Sequence, residues 1–392
     1  MTTSRTGAPV SLAERWNGRA WHLQKIPTLA GTALNAVSCV TESDCIAVGE
    51  SPPDARALAE RWNGKDWTVQ ATPKPAGAHH AGLNAIWCVA ASNCMAAGGY
   101  IDATGGIHVL AERWNGHTWR IVPAPTPSSQ PQNFFLGVAC PAPAACIGVG
   151  ISGAALTAGN PPTGSFAERW NGTRWTLQRT PTQHTPGGTL FGVWCQSVTA
   201  CIATGNTNTG TLAERLSGTT WSVLHTPNPP GTQGDFLNNV SCTSLSACTS
   251  VGLAFGPGGF PPQTLAERWN GARWRIQPTP LLPGDFDISG PSVACPAPSA
   301  CLAVGGYNNN GPQVTLAEQW QAGGTSTAQT APAALSPRAY SGIAGSIRAA
   351  MGEGFVAGAA ATRLWPTINA PMPQRRQSAS EFERITYLRR AA

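Results

Sequence analysis

LAERWNGKDWTVQ, residues 58–70, is one of seven near-copies of a single phrase in this chain. Anchored on its glutamate, the phrase recurs at Glu14, Glu60, Glu112, Glu168, Glu214, Glu267 and Glu318, with a spacing of 46 to 56 residues. A second phrase follows each of the first six copies and reads LNAVSCVTESDCIAVG at residues 34–49. It carries six C-x5-C pairs that together use all 12 cysteines. Self-similarity at a fixed period is the signature of a repeat architecture and decides the fold before any other signal.

Each unit of about 50 residues reads as four short strands. LNAVSC and CIAVG form one hairpin around a five-residue loop, and TLAERW and WTVQ form another around Asn-Gly. Asn-Gly is a strong hairpin signal because both residues tolerate positive φ. It stands at Asn17, Asn63, Asn115, Asn171 and Asn270, with Ser217-Gly218 as a softer variant. Neither phrase has the 3.6-residue periodicity of a helical solenoid. Four strands per unit at this period define an all-β chain, a β-propeller of four-stranded blades. The 44 Gly, 34 Pro and 15 Trp agree with many short strands and turns.

The order of phrases resembles that of Asp-box and Kelch-like propellers, and LAERWNG with C-x5-C-x-AVG resembles secreted β-propeller repeat proteins of actinobacterial, high-GC Gram-positive type. The resemblance covers roughly residues 10–321 and implies fold more than function, because propellers host many activities. Residues 1–321 are assigned to the propeller and 322–392 to an Ala/Pro/Arg-rich tail. Six blades are favoured over seven: the N-terminal strands would complete the blade begun at 292–305, leaving Leu316–Trp320 as a spare strand.

Three expectations follow for the repeated residues. In LAERW, Leu, Glu and Trp share one face and Ala and Arg the other, so the Glu of one blade is expected to meet the Arg of a neighbour. The W-x4-W pairs are expected to flank the turn and pack; a sugar platform is the sharper alternative. The pairs Cys39 with Cys45, Cys88 with Cys94, Cys140 with Cys146, Cys195 with Cys201, Cys242 with Cys248 and Cys295 with Cys301 bracket tight hairpins, where disulfides are feasible. Buried thiols and zinc are the rivals, but zinc would need two more ligands per pair, and the seven His share no repeat position. No metal or cofactor is expected.

Composition narrows the partners. Of the formal charge of +6, about five units come from the tail beyond Thr325, which has eight Arg against three Glu. The body holds only Lys25, Lys65 and Lys74 and no basic cluster, so nucleic acid is not expected. No apolar run is long enough to span a membrane. The N-terminus lacks the apolar stretch of a signal peptide, yet the phrase begins by Leu12, in mid-pattern. Cysteine pairing implies an oxidising compartment. The expectation is a secreted or cell-surface protein, acting as a monomer, whose natural start lies upstream of Met1 or whose export is unconventional.

In a four-strand meander the turns between strands one and two, and three and four, share one end of the ring; here both are short and standardised. The other connections vary and share the opposite end, the usual split between scaffold and binding surface. They offer Tyr100, Phe134, Asp235, Phe236, Phe255, Phe260, Asp285, Phe286, Asp287, Tyr307 and Asn308 to a protein or carbohydrate partner. Solvated loops with a few residues packed down are the plainer reading. A hydrolase or lyase acting on polysaccharide is the rival function, and a purely structural surface protein a third. Seven of the 19 acidic residues belong to the repeat, which leaves few for a catalytic pair. Propeller sialidases, which the architecture resembles, need an arginine cluster and a Tyr nucleophile, and this chain has four Tyr. Asp285 and Asp287 offer a weak calcium or acid site. No GxSxG, HExxH or P-loop occurs, and a non-catalytic role is expected. Near the end, SASEFERITYLRR reads as a short helix, with Ser378 and Glu381 at capping-box spacing.

Overall fold

The structure is a computed structural model. It describes residues 2–3, 9–17, 19–27, 31–51, 56–127, 132–153, 164–183, 185, 187–232, 234–256, 262–280, 287–308, 314–321, 327–330 and 355–357. The proposed helix at 378–390 lies outside them.

Strands account for the regular structure among these residues, in six complete four-stranded antiparallel blades. The first comprises Ala33–Thr41, Asp44–Ser51, Arg56–Trp62 and Trp67–Gln70; the second Ala78–Ala90, Asn93–Asp102, Ile107–Trp114 and Trp119–Ile121. The third comprises Gln132–Ala142, Ala145–Gly153, Gly164–Trp170 and Trp175–Gln178; the fourth Thr189–Ser197, Ala200–Thr207, Gly210–Ser217 and Thr220–Leu224. The fifth is Phe236–Ser244, Ala247–Phe255, Pro262–Trp269 and Trp274–Gln277, and the sixth Asp287–Ala297, Ala300–Asn308, Val314–Gln321 and Thr327–Thr330.

The expected closure is corrected. Leu316–Trp320 is not spare: it belongs to the third strand of the sixth blade, and Thr327–Thr330 is the fourth. The N-terminal strands Ala13–Trp16 and Trp21–Gln24 pair instead with Phe355–Ala357 in a separate three-stranded sheet. Ala13 packs with Leu34, Val37 and Trp67 of the first blade, while Trp16 and Trp21 pack with Val304 and Ala317 of the sixth. This sheet therefore fills the gap between sixth and first blades. Two short strands beyond residue 321 thus pair into the ring.

The repeated glycine of AVG has a steric cause. A β-bulge shifts the register between Leu34 and Ala36, and the backbone of the first strand presses onto the second. A Cβ on Gly49 would stand 1.8 Å from the Ala33 carbonyl oxygen; on Gly252, 1.8 Å from that of Phe236. The bulged residue reaches across to the next blade: the Asn35 amide donates to Leu83 O at 3.1 Å, Asn84 to Phe135 O at 2.7 Å, and Asn238 to Pro291 O at 3.3 Å. Thr41 pairs with Asp44, so the hairpin inside the cysteine pair is tighter than the five-residue loop read from sequence.

All six cysteine pairs are disulfides. Cys39 is bonded to Cys45, Cys88 to Cys94, Cys140 to Cys146, Cys195 to Cys201, Cys242 to Cys248 and Cys295 to Cys301, with Cα atoms 3.9 to 4.1 Å apart. Each links the first and second strands of its blade. The second-strand partners Cys45, Cys94, Cys146, Cys201 and Cys248 are all buried in the packing between blades. The bridges expected from the sequence are thus present, and they are core groups rather than surface staples.

The Asn-Gly turn is made by the asparagine side chain as well as the glycine. Asn63 Oδ1 accepts the N–H of Lys65 and of Asp66 at 2.9 and 2.8 Å, and Gly64 takes φ 94°. The flanking Trp62 and Trp67 are cross-strand partners with ring centroids 5.8 Å apart.

Each tryptophan has its own task. The one in LAERW seals its blade onto its own cysteine hairpin: Trp62 Nε1 donates to Glu42 O, Trp114 to Ala91 O and Trp269 to Leu245 O, at 3.0 to 3.1 Å. The outer one packs over the fourth strand of the preceding blade. Trp119 Nε1 donates to Gln70 Oε1 at 2.8 Å and Trp221 to Gln178 Oε1 at 3.1 Å. Where that glutamine is replaced the contact is apolar: Trp175 packs with Val122, and Trp274 with Leu224.

The expected Glu–Arg ring is also corrected. Glu60, Glu112, Glu168, Glu214 and Glu267 are fully buried between blades, but none is ion-paired to a repeat arginine. Alternation sends the arginine to the other face, toward the hairpin end. Arg61 pairs with Asp44 of its own blade at 2.9 Å, and Arg15 reaches Glu42 at 3.7 Å. Both carboxyl oxygens of Glu60, Glu112 and Glu168 lack a hydrogen-bond partner. Glu214 accepts the Thr182 hydroxyl. Desolvation by burial pushes these carboxyls up: Glu60 and Glu214 to about 7, Glu112 and Glu267 to about 8, Glu168 to about 9. Burial thus favours the neutral acid form at these positions, which is far cheaper to desolvate than a carboxylate.

Two outcomes are expected. Folding takes up protons at these glutamates because their folded values lie above the unfolded 4.5. Stability is therefore full below that value and is lost as pH rises through about 7 to 9. The melting temperature should fall across this window, and Glu168→Gln should flatten the fall. Gly252→Ala should destabilise by about 3 kcal/mol or more, since only backbone movement can relieve the clash; urea unfolding measures it.

Candidate functional site at the varied end of the ring

Antiparallel pairing within each blade puts the start of the second-to-third connection and of the connection to the next blade at the end opposite the cysteine hairpin. The second blade supplies a polar cluster there. The turn at 102–106 is closed by Asp102, whose Oδ1 accepts the Thr104 N–H at 2.8 Å, the Thr104 hydroxyl at 2.7 Å and the Gly106 N–H at 3.0 Å. Its Oδ2 lies 2.7 Å from His108 Nε2. An ionised carboxylate only accepts, so this nitrogen carries the proton. Cross-strand pairing sets Tyr100 opposite His108, and the rings stack with centroids 5.0 Å apart. The Thr104 and His108 side chains hold the Asp102 carboxyl well below the usual aspartate range.

Beside it, His80 Nε2 lies 3.1 Å from Glu50 Oε2, joining the second blade to the first, with both side chains largely buried. Register places His80 opposite Ile101, next along the strand from Tyr100. Between the fourth and fifth blades, Phe236 lies 5.7 Å from Phe191 and 5.8 Å from Phe255, and Phe236 and Phe255 are half-buried.

The residues singled out from sequence divide accordingly. Tyr100, Phe236 and Phe255 stand at the varied end in contact with other rings. Phe134 is buried among Ile101, Ile107 and Ile151. Asp235 is turned inward, accepting the Phe255 N–H at 3.0 Å and the Thr232 hydroxyl, so it latches a connection. Asp287 and Asn308 are opposed at the strand ends of the sixth blade, with Tyr307 opposite Ile288. Phe260, Asp285 and Phe286 lie outside the described residues. Glu50, His80, Asp102, His108 and Phe191 were not anticipated. Their signal was that they break the repeat at strand ends: histidines without a repeat position were set aside for that reason.

No family model matches the sequence, and no curated protein matches it. Among solved structures, the chain is similar to a GH74 xyloglucanase from Xanthomonas campestris, at 14% identity and a TM-score of 0.50 over 76% of this chain. It spans less than half, 45%, of that xyloglucanase chain. A fungal lectin from Aleuria aurantia with a six-bladed β-propeller fold gives 12% identity and a TM-score of 0.41, over 77% of this chain and 96% of the lectin. YCF48 from Cyanidioschyzon merolae gives 14% and 0.45, over 74% and 83%. At such identities the likeness concerns the fold, and the chain is a β-propeller.

The Asp102 carboxyl should titrate below its ordinary 3.8 in an NMR experiment on the labelled side chain. His108→Ala should raise that midpoint, because it removes one of the two leading donors.

Proposed function

We propose that the varied end is a non-catalytic binding face for carbohydrate, centred on Tyr100, His108 and Asp102 with His80 and Glu50 beside them. The observation that carries this reading is the stacked Tyr100–His108 pair braced by Asp102 at 2.7 Å. Flat ring surface suits the C–H face of a sugar, and fixed donors and acceptors suit its hydroxyls. Tyr100, Phe236 and Phe255 supply the aromatic part of the face.

The disposition of acids favours binding over hydrolysis. Glycoside hydrolysis commonly uses two carboxyl groups flanking the bond, one kept protonated. The described carboxyls with raised values are the repeat glutamates, sealed between blades. At the varied end Asp102 is held ionised, and Glu50 and Asp235 are committed to partners within the fold. Six disulfides suit an oxidising environment, so the proposed setting is the cell exterior. No helix among the described residues is long and apolar enough to cross a membrane.

A glycan array on the oxidised protein tests the proposal. Saturable binding should weaken by about tenfold or more in Tyr100→Ala, as expected when a stacking ring is lost (about 1.4 kcal/mol per tenfold). His108→Ala should also weaken it. Binding to a protein partner alone, or turnover of a polysaccharide, would overturn the reading in favour of its rivals.

A further inference from the structure

The first blade shows what the arginine of the repeat takes as a partner. Arg61 Nε donates to Asp44 Oδ1 at 2.9 Å and its Nη2 to Asp44 Oδ2 at 3.2 Å, so one edge of the guanidinium holds both oxygens of a carboxylate. The residue opposite, Thr68, is spent on the backbone, its hydroxyl donating to Arg61 O at 3.4 Å. Thr176 and Ser222 serve Arg169 O and Arg215 O in the same way, at 3.2 and 3.5 Å.

The second blade keeps the arginine and changes its neighbours. Arg113 pairs with Met95 as Arg61 pairs with Ile46, so Asn93 stands where Asp44 stands. Ala91 stands in the place of Glu42. Opposite Arg113 is Arg120 instead of a hydroxyl residue. Like charges directly across a strand pair repel, and no carboxylate among the described residues is ion-paired to either arginine. Arg113 Nε, the equivalent of the atom that holds Asp44 in the first blade, is buried and has no hydrogen-bond partner among the described residues. An N–H of a permanent cation that is taken from water and left unpaired is costly. Arg113 is half-buried and Arg120 exposed, so the pair is open to solvent. The fifth blade has the other opposed pair, Arg268 and Arg275, but there Arg268 is already committed: it stacks 4.0 Å over the Trp320 ring and donates to Pro298 O.

We propose that Arg113 and Arg120 clamp the carboxylate of a ligand from outside the chain, which takes the part that Asp44 plays in the first blade. The planar guanidinium fork matches a carboxylate edge to edge, and a second guanidinium opposite supplies further donors and offsets the charge. The pair flanks the Asn115 turn at the cysteine-hairpin end. It is therefore independent of the face proposed for carbohydrate.

The test titrates full-length, oxidised protein with acetate at constant ionic strength, with acetamide as the uncharged control of the same shape, and follows the Arg113 Nε–Hε resonance by 15N NMR. Acetate should shift that resonance saturably and raise the melting temperature; acetamide should do neither. Arg120→Thr, which installs the first blade's residue, should weaken acetate by about tenfold through loss of a charged donor. Asn93→Asp should supply the carboxylate from within the chain, abolish acetate binding and raise the melting temperature without ligand. No saturable shift, equal binding of acetamide, or acetate binding unchanged in Asn93→Asp overturns the proposal. So does inorganic phosphate saturating the site while acetate is silent. Glucuronate and an N-acetylated aspartate, run alongside, tell a sugar source of the carboxylate from a peptide source by which binds more tightly.

Discussion

A four-stranded sheet that is apolar on both faces is not stable alone, and that constraint governs this molecule. The first blade buries Leu34, Val37, Ala47 and Leu58 against the N-terminal sheet and Ala36, Ile46, Val48 and Ala59 against the second blade. Two such faces leave no room for charge. The repeated glutamate sits between them, and burial answers by neutralising it rather than by pairing it. A carboxylic acid keeps its hydrogen-bonding capacity without the cost of a buried ion. At Glu214 the Thr182 hydroxyl, from the connection out of the preceding blade, offsets part of that cost.

Much of the fold was legible because repetition exposed it. Seven copies of one phrase turned a weak strand signal into a strong one, and the tryptophan and cysteine pairs fell opposite one another as alternation required. Closure was not legible. Assigning Leu316–Trp320 to a complete sixth blade depended on Thr327–Thr330, a strand with no tryptophan and no Asn-Gly turn before it. The glutamate and arginine were misread for a related reason. Alternation places them on opposite faces of one strand, but register between blades decides what each face meets, and a single sequence does not encode it visibly. The arginine finds the hairpin end, where Asp44 and Glu42 stand, and the glutamate finds apolar surface.

The candidate site was less legible than the fold because its residues do not share a position. Asp235 and Phe134 looked like exposed loop groups in a variable stretch, yet both turn inward to hold that stretch in place. Asp102 and His108 looked incidental, yet a turn that donates three hydrogen bonds to one carboxylate oxygen fixes the other oxygen for His108. A varied loop therefore contains its own scaffold. Sequence shows where variation occurs; hydrogen-bond accounting shows which of the varied residues hold the connections in place.

The same accounting separates the two ends of the ring. At the hairpin end the polar groups are spent on the fold: Asn63 caps its turn, Trp62 ties to Glu42, and Arg61 ties to Asp44. Uniform turns follow, since any change there costs every blade the same bonds. At the opposite end the fold asks less. A threonine after the fourth strand fastens the connection to the third, as Thr72 does to Ala57 O at 2.6 Å and Thr226 to Thr211 O at 2.9 Å. Beyond that fastening the chain is released from the repeat, and the second blade uses that freedom to stack Tyr100 on His108 and to brace the pair with Asp102.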